Sequence, residues 1–267
     1  MVVTRYPSYW ALSRHSLSPA AEVPAISPLA AIQGFNKEMD WEMDRSVWLK
    51  EKRRLTEERM DTLFAPLYDE KWGNYSNATH QLFIQRFLSL FPRPSTILDA
   101  ACGTGKYWPM LLGKGHTVVG IDQSHGMLSR AKAKFPTVEI EPVGLQEMLF
   151  QEAFDGIMCV DAMEFVFPED WPVVLRNFYR ALRPNGYVYF TVELADAYEI
   201  RAAFEKGQQM GFPIVYGEWA HEDGYHYYPE TEQVKEWMQL AHLRLIDETV
   251  GDEYHHFLVQ KQAAHSL

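Results

Sequence analysis

The residues best suited to chemistry stand at the ends of apolar runs. Thr96-Ile97-Leu98-Asp99-Ala100-Ala101-Cys102-Gly103-Thr104-Gly105 reads as a strand entering a glycine turn, and Val118-Val119-Gly120-Ile121-Asp122 as a second strand with a carboxylate at its tip. Glycine accepts a positive φ and carries no Cβ, so it allows both a sharp bend and a ligand lying close to the backbone. The helix expected after the turn offers free N–H groups at its start. A dinucleotide loop would need a small residue at its third position, for close helix packing. Trp108 stands there instead, and Asp99 precedes the loop, where it suits a cationic group better than a pyrophosphate. Asp122 has the place from which a carboxylate can accept both hydroxyls of a ribose.

A second group of acids follows the apolar run from Phe154 to Val160. Open α/β sheets hold ligands at the C-terminal ends of their strands, so Asp161-Ala162-Met163-Glu164-Phe165 should face the reacting atoms. A carboxylate there could deprotonate a hydroxyl or an amine, or steady a cationic centre. Glu164 is the first candidate and Asp161 the second, with capping or salt-bridging a short helix as the competing role for Glu164. Later, Glu218, Trp219, His221, His226, Tyr227 and Tyr228 fall in an irregular stretch rich in Gly, His and Tyr. His226 is a candidate general base, because imidazole titrates near neutral pH. His221 and His226 with nearby acids complete no ligand set, so no metal site is expected. Of His255 and His256, in a strand-like run, one is expected to point inward.

These side chains need a scaffold, and the pattern supplies one. From Thr96 onward, strands at 96–102, 117–122, 138–143, 154–160 and 186–194 alternate with helices at 106–114, 125–135 and 170–182. Such alternation predicts parallel βαβ units and a doubly wound α/β sheet. A helix over about 231–241 leads to strands at 243–250 and 254–261, whose three-residue link is too short for a crossover and predicts antiparallel pairing. Upstream, helical spacing from Lys37 to Leu67, kinked or ended at Pro66, and again over 78–91 predicts a helical cap. The expected organisation is a loosely ordered arm over 1–35, a helical cap over 36–92, and a core over 93–267 with a substrate-pocket insert near 196–230.

Composition narrows the partners. The 267 residues carry a net charge of −11, and the one dense basic run, Lys50 to Arg54, is flanked by acids. Nucleic-acid binding, which neutralises phosphates with basic residues, is therefore not expected, nor is an anionic membrane surface. No stretch is long and apolar enough to span a bilayer, and the N-terminus has no continuous apolar segment of a secretory signal. Two cysteines, Cys102 and Cys159, lie in apolar strands and are expected to be free thiols, as in the cytoplasm. Adjacency of the first and fourth strands would bring the two close together. Monomer and homodimer both remain open.

Leu98-Asp99-Ala100-Ala101-Cys102-Gly103-Thr104-Gly105 resembles motif I of the class I S-adenosylmethionine-dependent methyltransferases, in the form typical of their small-molecule branch. Phe154 to Val160 and Leu182-Arg183-Pro184-Asn185-Gly186 resemble that family's fourth-strand motif and the turn before its fifth strand. The resemblance implies a Rossmann-like, mostly parallel, seven-stranded sheet with an antiparallel last strand. It implies that the backbone of Ala101, Gly103 and Gly105 holds the methionine part of the cofactor and that Asp99 organises its amino group. Asp122 would take the ribose, with Gln123 beside it. Ser124-His125-Gly126-Met127-Leu128 resembles the family's S-x-x-M-L run, in which the methionine packs on adenine. Val160 ends the fourth strand at the cofactor. Where many relatives carry an aspartate for the adenine amino group, this chain has Leu145, so Gln146 or backbone groups take that contact. The implied activity is in-line methyl transfer to an oxygen, nitrogen or carbon of a small molecule, leaving S-adenosylhomocysteine. A binder on the same fold that does not methylate, or a cyclase, is the alternative.

Overall fold

Helix formation begins where Asp44 caps it: its carboxylate accepts from the Ser46 and Val47 amides at the start of α1 (Arg45–Arg59). The computed structural model describes residues 43–75, 77–220 and 224–262. The expected arm over 1–35, the first residues of the expected cap, and His221 lie outside the described residues. Past Arg59 the helix widens into a π turn (Met60–Phe64) and tightens into a 3-10 turn (Ala65–Leu67) containing Pro66. Proline lacks the N–H that an α-helix would use, and its ring crowds the preceding turn. The short α2 (Tyr68–Trp72) follows, and α3 (Ala78–Ser89) starts at Asn77, whose side chain accepts from the His80 amide.

The core then alternates β1 (Thr96–Ala100), α4 (Trp108–Gly113), β2 (Thr117–Ile121), α5 (His125–Lys134), β3 (Glu139–Glu141), β4 (Phe154–Cys159), α6 (Trp171–Ala181) and β5 (Leu182–Glu193). After these come α7 (Ala197–Gln209), the two-stranded ribbon of β6 (Glu218–Ala220) and β7 (Tyr225–Tyr227), α8 (Thr231–Leu240), β8 (Leu243–Gly251) and β9 (Tyr254–Lys261). The main sheet has seven strands in the order β3-β2-β1-β4-β5-β9-β8. Its first five strands pair in parallel, while β9 runs antiparallel to both β5 and β8. This is the Rossmann-like sheet expected, with its antiparallel last strand.

Side chains alternate between two apolar layers, as the period of two along a strand demands. Leu98, Ala100, Ile121, Ile157, Val188, Phe190 and Phe257 fill one layer with α6 and α8. Ile97, Val118, Met158, Tyr189 and Leu258 fill the other with α3 and α4. Both faces being covered corrects two expectations. His255 and His256 are both buried, on opposite faces: His256 meets the Tyr189 hydroxyl, and His255 meets Glu248. The thiols of Cys102 and Cys159 are free but belong to different layers, so strand adjacency does not bring them together.

Two boundaries also differ. The stretch after Asp196 is not irregular but opens with α7, capped by the Asp196 carboxylate on the Tyr198 and Glu199 amides. Gly207 is its buried residue, so the helix lies largely on the surface. β5 starts at Leu182 rather than 186, with a register shift opposite Phe154 and Gly156 that carries the Arg183–Gly186 turn into the strand. Among the described residues no helix is long and apolar enough to cross a membrane.

Candidate functional site

The glycine turn is built from alternating left-handed residues: Ala101 at φ 58, Gly103 at 54 and Gly105 at 72. A non-glycine residue pays a strain cost in this region, on the order of 1 kcal/mol, so Ala101 is held there by its surroundings. The Cys102 amide donates to the Ile121 carbonyl, tying the turn to β2. A Cβ built on Gly103 would meet nothing within 4 Å, so the turn opens onto free space at the C-terminal edge of the sheet. At the tip of β2, Asp122 is clamped from two sides: the Gly103 amide donates to Oδ2 and the Ser124 amide to Oδ1, each at 2.8 Å. Each carboxylate oxygen keeps a second lone pair, enough for a pair of hydroxyls. Burial pushes this carboxyl up despite both amides. The turn and Asp122 thus fit an amino-acid-bearing nucleoside, with its ribose at Asp122.

The residues expected at the adenine come from three segments. Ser124 caps α5 by accepting from the Met127 amide, and the Met127 side chain is buried in the first turn of that helix. Gln146 sits in a 3-10 turn (Leu145–Glu147) whose carbonyls at Leu145 and Gln146 accept from Asn177. A Cβ on Gly144 would lie 2.9 Å from Gln146 Nε2 and 3.4 Å from Gln123 Oε1, so the two glutamines converge there. Val160 is buried in the layer of Trp108 and Tyr189.

Trp108, the residue that spoils a dinucleotide fingerprint, has a clear structural task. A Cβ on Gly105 would come within 2.6 Å of its indole, and one on Gly120 within 2.5 Å. Both glycines therefore make room for this ring, which replaces the close helix packing of a third glycine. Its Nε1 donates to Asp99 Oδ2 at 2.8 Å. Asp99 is thus beneath the turn, with one oxygen committed to the indole. Burial pushes its carboxyl up to about 7, the indole N–H works against that, and the Asp122 charge adds to it.

A pH dependence follows from that shift. The folded-state value lies above the model-peptide 3.8, so Asp99 contributes stability that is fully present below that value and is lost as pH rises through about 7. Asp99→Asn keeps an acceptor for Trp108 and does not titrate. Between about pH 5 and pH 8 the wild type should therefore lose stability relative to Asp99→Asn. Urea denaturation of both proteins at several pH values measures this, and a constant difference would mean Asp99 ionises as an ordinary carboxylate.

Across the turn lies a wall of buried acids. Asp161 follows β4 at φ 55, a second strained non-glycine position, and its amide donates to Thr191 Oγ1. Its carboxylate accepts from the Tyr254 hydroxyl and lies 3.3 Å from His80 Nε2. Burial raises it to about 6, with Lys106 pulling the other way. Glu164, in a 3-10 turn (Met163–Phe165), is only 4% exposed, and Glu193, at the end of β5, likewise. Burial first, then the neighbouring Glu193 and Asp161 charges, raises the Glu164 carboxyl strongly. Burial raises Glu193 to about 7, although the Tyr228 hydroxyl donates to it. His226, on β7, places Nδ1 3.1 Å from the Tyr228 hydroxyl and packs its ring on Phe165 at 4.9 Å. Burial keeps His80 neutral.

The structure thus brings Asp161, Glu164 and His226 into one region, and Asp99, Ala101, Gly103, Gly105 and Asp122 into another beside it. Glu193, His80 and Tyr254 were missed in the sequence, whereas Tyr228 was placed in the pocket-forming stretch. Glu193 alone left a signal, as an acid at the end of a parallel strand. Glu218 is a different matter: both its oxygens take Arg45, and the Tyr225 hydroxyl and Val215 amide also donate to it, so it ties α1 to the ribbon.

The segment between α1 and α3 lies against the glycine turn and α5. Asp61 accepts from the Ser124 hydroxyl at 2.6 Å and the Gly126 amide at 2.9 Å. Asp69 accepts from the Thr104 hydroxyl and Lys134, each at 2.7 Å, and pairs with Arg130. Two aspartates thereby fasten this segment to the glycine turn and to the start of α5.

Residues 97–186 match the family described as "Methyltransferase domain". YqeM of Bacillus subtilis, a methyltransferase by assignment only, is 31% identical over 48% of this chain and 53% of its own length. The malonyl-[acyl-carrier protein] O-methyltransferase of Hamiltonella defensa is 29% identical over 43% of this chain and 44% of its own. This chain therefore spans about half the length of the curated relatives it matches. Among solved structures, the Burkholderia thailandensis 1,6-didemethyltoxoflavin-N1-methyltransferase, solved with S-adenosylhomocysteine, superposes with a TM-score of 0.60. That likeness covers 80% of this chain and 90% of the other at 17% identity, a likeness of fold. Motif, sheet order and the match over residues 97–186 agree in likening this chain to the class I S-adenosylmethionine-dependent methyltransferases.

Proposed function

We propose that the protein transfers the methyl group of S-adenosylmethionine to a small-molecule acceptor in specialised metabolism. The observation that carries this reading is the Asp122 carboxylate, held by the Gly103 and Ser124 amides in front of an open glycine turn, with the acids after β4 alongside. Bound there, S-adenosylmethionine supplies an electrophilic methyl on a sulfonium, already a good leaving group. The protein's task is then alignment and exclusion of water. The turn from Ala101 to Gly105 holds the amino-acid moiety over Asp99, Asp122 grips the ribose, and Gln123, Met127 and Gln146 enclose the adenine, with Val160 lining the floor. The helical segments over 43–92, fastened through Asp61 and Asp69, act as the cap that excludes water.

Glu164 takes a proton from the acceptor, with Asp161 and His226 as supporting groups. A carboxyl whose affinity for protons is raised by burial is a stronger base when ionised than an exposed one. The named relatives include O-methyltransferases of malonyl-[acyl-carrier protein] and of ubiquinone biosynthesis as well as an N-methyltransferase, so the acceptor atom varies among them. Formation of S-adenosylhomocysteine with a fractionated metabolite pool tests the activity. On the active fraction, Glu164→Gln should lower turnover about a hundredfold, in the range of a lost general base. Its affinity for S-adenosylhomocysteine should stay close to that of the wild type. An unchanged turnover number removes Glu164 from the proton-transfer role.

A further inference from the structure

We infer that the acceptor presents a basic nitrogen, an amine or an N–H-bearing heterocycle, to Glu164 and Glu193; this rests on the methyl-transfer reading above. Glu164 Oε2 and Glu193 Oε2 are fully buried, yet neither has a hydrogen-bond partner among the described residues. A buried carboxylate oxygen left without a partner costs more than a neutral group so left, and such atoms are expected to meet a donor when the site is filled. Asp161 stands close enough to both that its charge acts on each. Against three acids, the cation that offsets them among the described residues is Lys106, and its effect falls on Asp161. Glu253 adds further negative charge beside Glu193. The Lys106 charge is thus set against Asp161, while Glu164 Oε2 and Glu193 Oε2 stay unmatched, and an acceptor nitrogen would bring them both charge and an N–H.

Neighbouring rings point the same way. Phe165, Tyr228 and Tyr254 stand about these acids, and aromatic faces attract cations. A metal ion does not fit, because no group of three ligating side chains among the described residues is placed to hold one. An anionic acceptor would meet the negative charge of whichever of these acids is ionised. In the transfer, the nitrogen lone pair forms the new bond to the methyl carbon while the carbon–sulfur bond breaks and leaves its electron pair on sulfur. The N–H proton passes to the Glu164–Glu193 pair, which like-charge repulsion prepares to hold one proton between two carboxyls.

Two measurements on the full chain test this. In the first, S-adenosylmethionine with a carbon-13 methyl is turned over with the fractionated metabolite pool, and the product methyl is read by NMR. An N-methyl resonance is expected; an O-methyl, S-methyl or C-methyl product overturns the inference while leaving methyl transfer intact. In the second, benzamidine, benzyl alcohol and benzoate, three probes of one shape, are titrated calorimetrically with and without S-adenosylhomocysteine. Benzamidine should bind at least tenfold more tightly than the other two and release protons to the buffer near neutral pH. Glu193→Gln should weaken it at least tenfold while S-adenosylhomocysteine affinity changes less than threefold. Equal binding of benzyl alcohol or benzoate, or a heat independent of the buffer, overturns the inference even if every variant fails to fold. Failure of S-adenosylhomocysteine to bind counts against the methyltransferase reading instead, since the benzamidine preference is scored in its absence.

Discussion

Asp122→Ala should bind S-adenosylhomocysteine at least a hundredfold more weakly than the wild type. Two contributions add. The side chain is proposed to accept both ribose hydroxyls, and hydrogen bonds to a charged group are worth about 1.5–3 kcal/mol each. At about 1.4 kcal/mol per tenfold, losing both costs two orders of magnitude or more. The same carboxylate also holds the Gly103 and Ser124 amides, so its removal frees the turn that presents the cofactor's amino-acid end. Asp122→Asn separates the contributions: one amide oxygen still serves one N–H, while the new NH2 faces the other donor. It should fall between wild type and alanine. Calorimetric titration, with circular dichroism to confirm folding, makes the comparison. Affinity within threefold of wild type in a folded Asp122→Ala protein would mean that the ribose lies elsewhere.

Trp108→Ala should cost about 3–5 kcal/mol of stability, the range for emptying a buried aromatic site. The indole is fully buried, fills the space that Gly105 and Gly120 leave, and packs edge-on against Phe135 at 5.2 Å. Its loss also strips Asp99 of the N–H that offsets the burial of its carboxylate. Trp108→Phe keeps much of the ring but removes that donor, so its smaller cost, about 1–3 kcal/mol, isolates the unpaired acceptor. Chemical denaturation of the three proteins gives the values. A loss below about 1 kcal/mol for the alanine variant would show that the ring is not the wedge between the turn and β2.

The contrast between Asp122 and Trp108 shows where sequence reading works. Asp122 was found because a strand tip is a local feature: the run Val118-Val119-Gly120-Ile121 and then an acid fix where the side chain emerges. Trp108 was registered only as a misfit. That it stands in for a glycine depends on Gly105 and Gly120 both vacating space for one ring, and Gly120 lies on another strand. Similarly, the simultaneous burial of His255 and His256 needs helices on both faces of β9.

The sequence by itself determined the parallel α/β order, the antiparallel last strand, the glycine turn and the acids at the tips of β1, β2 and β4. All of these follow from hydrophobic period and turn chemistry within a dozen residues. Only the tertiary structure decided which acids meet. Glu193 from β5, Tyr228 beyond β7, His80 from α3 and Tyr254 from β9 reach Asp161 and Glu164 from four separate parts of the chain. Their elevated proton affinities come from removing water and adding like charge, and neither quantity exists until distant segments have packed together.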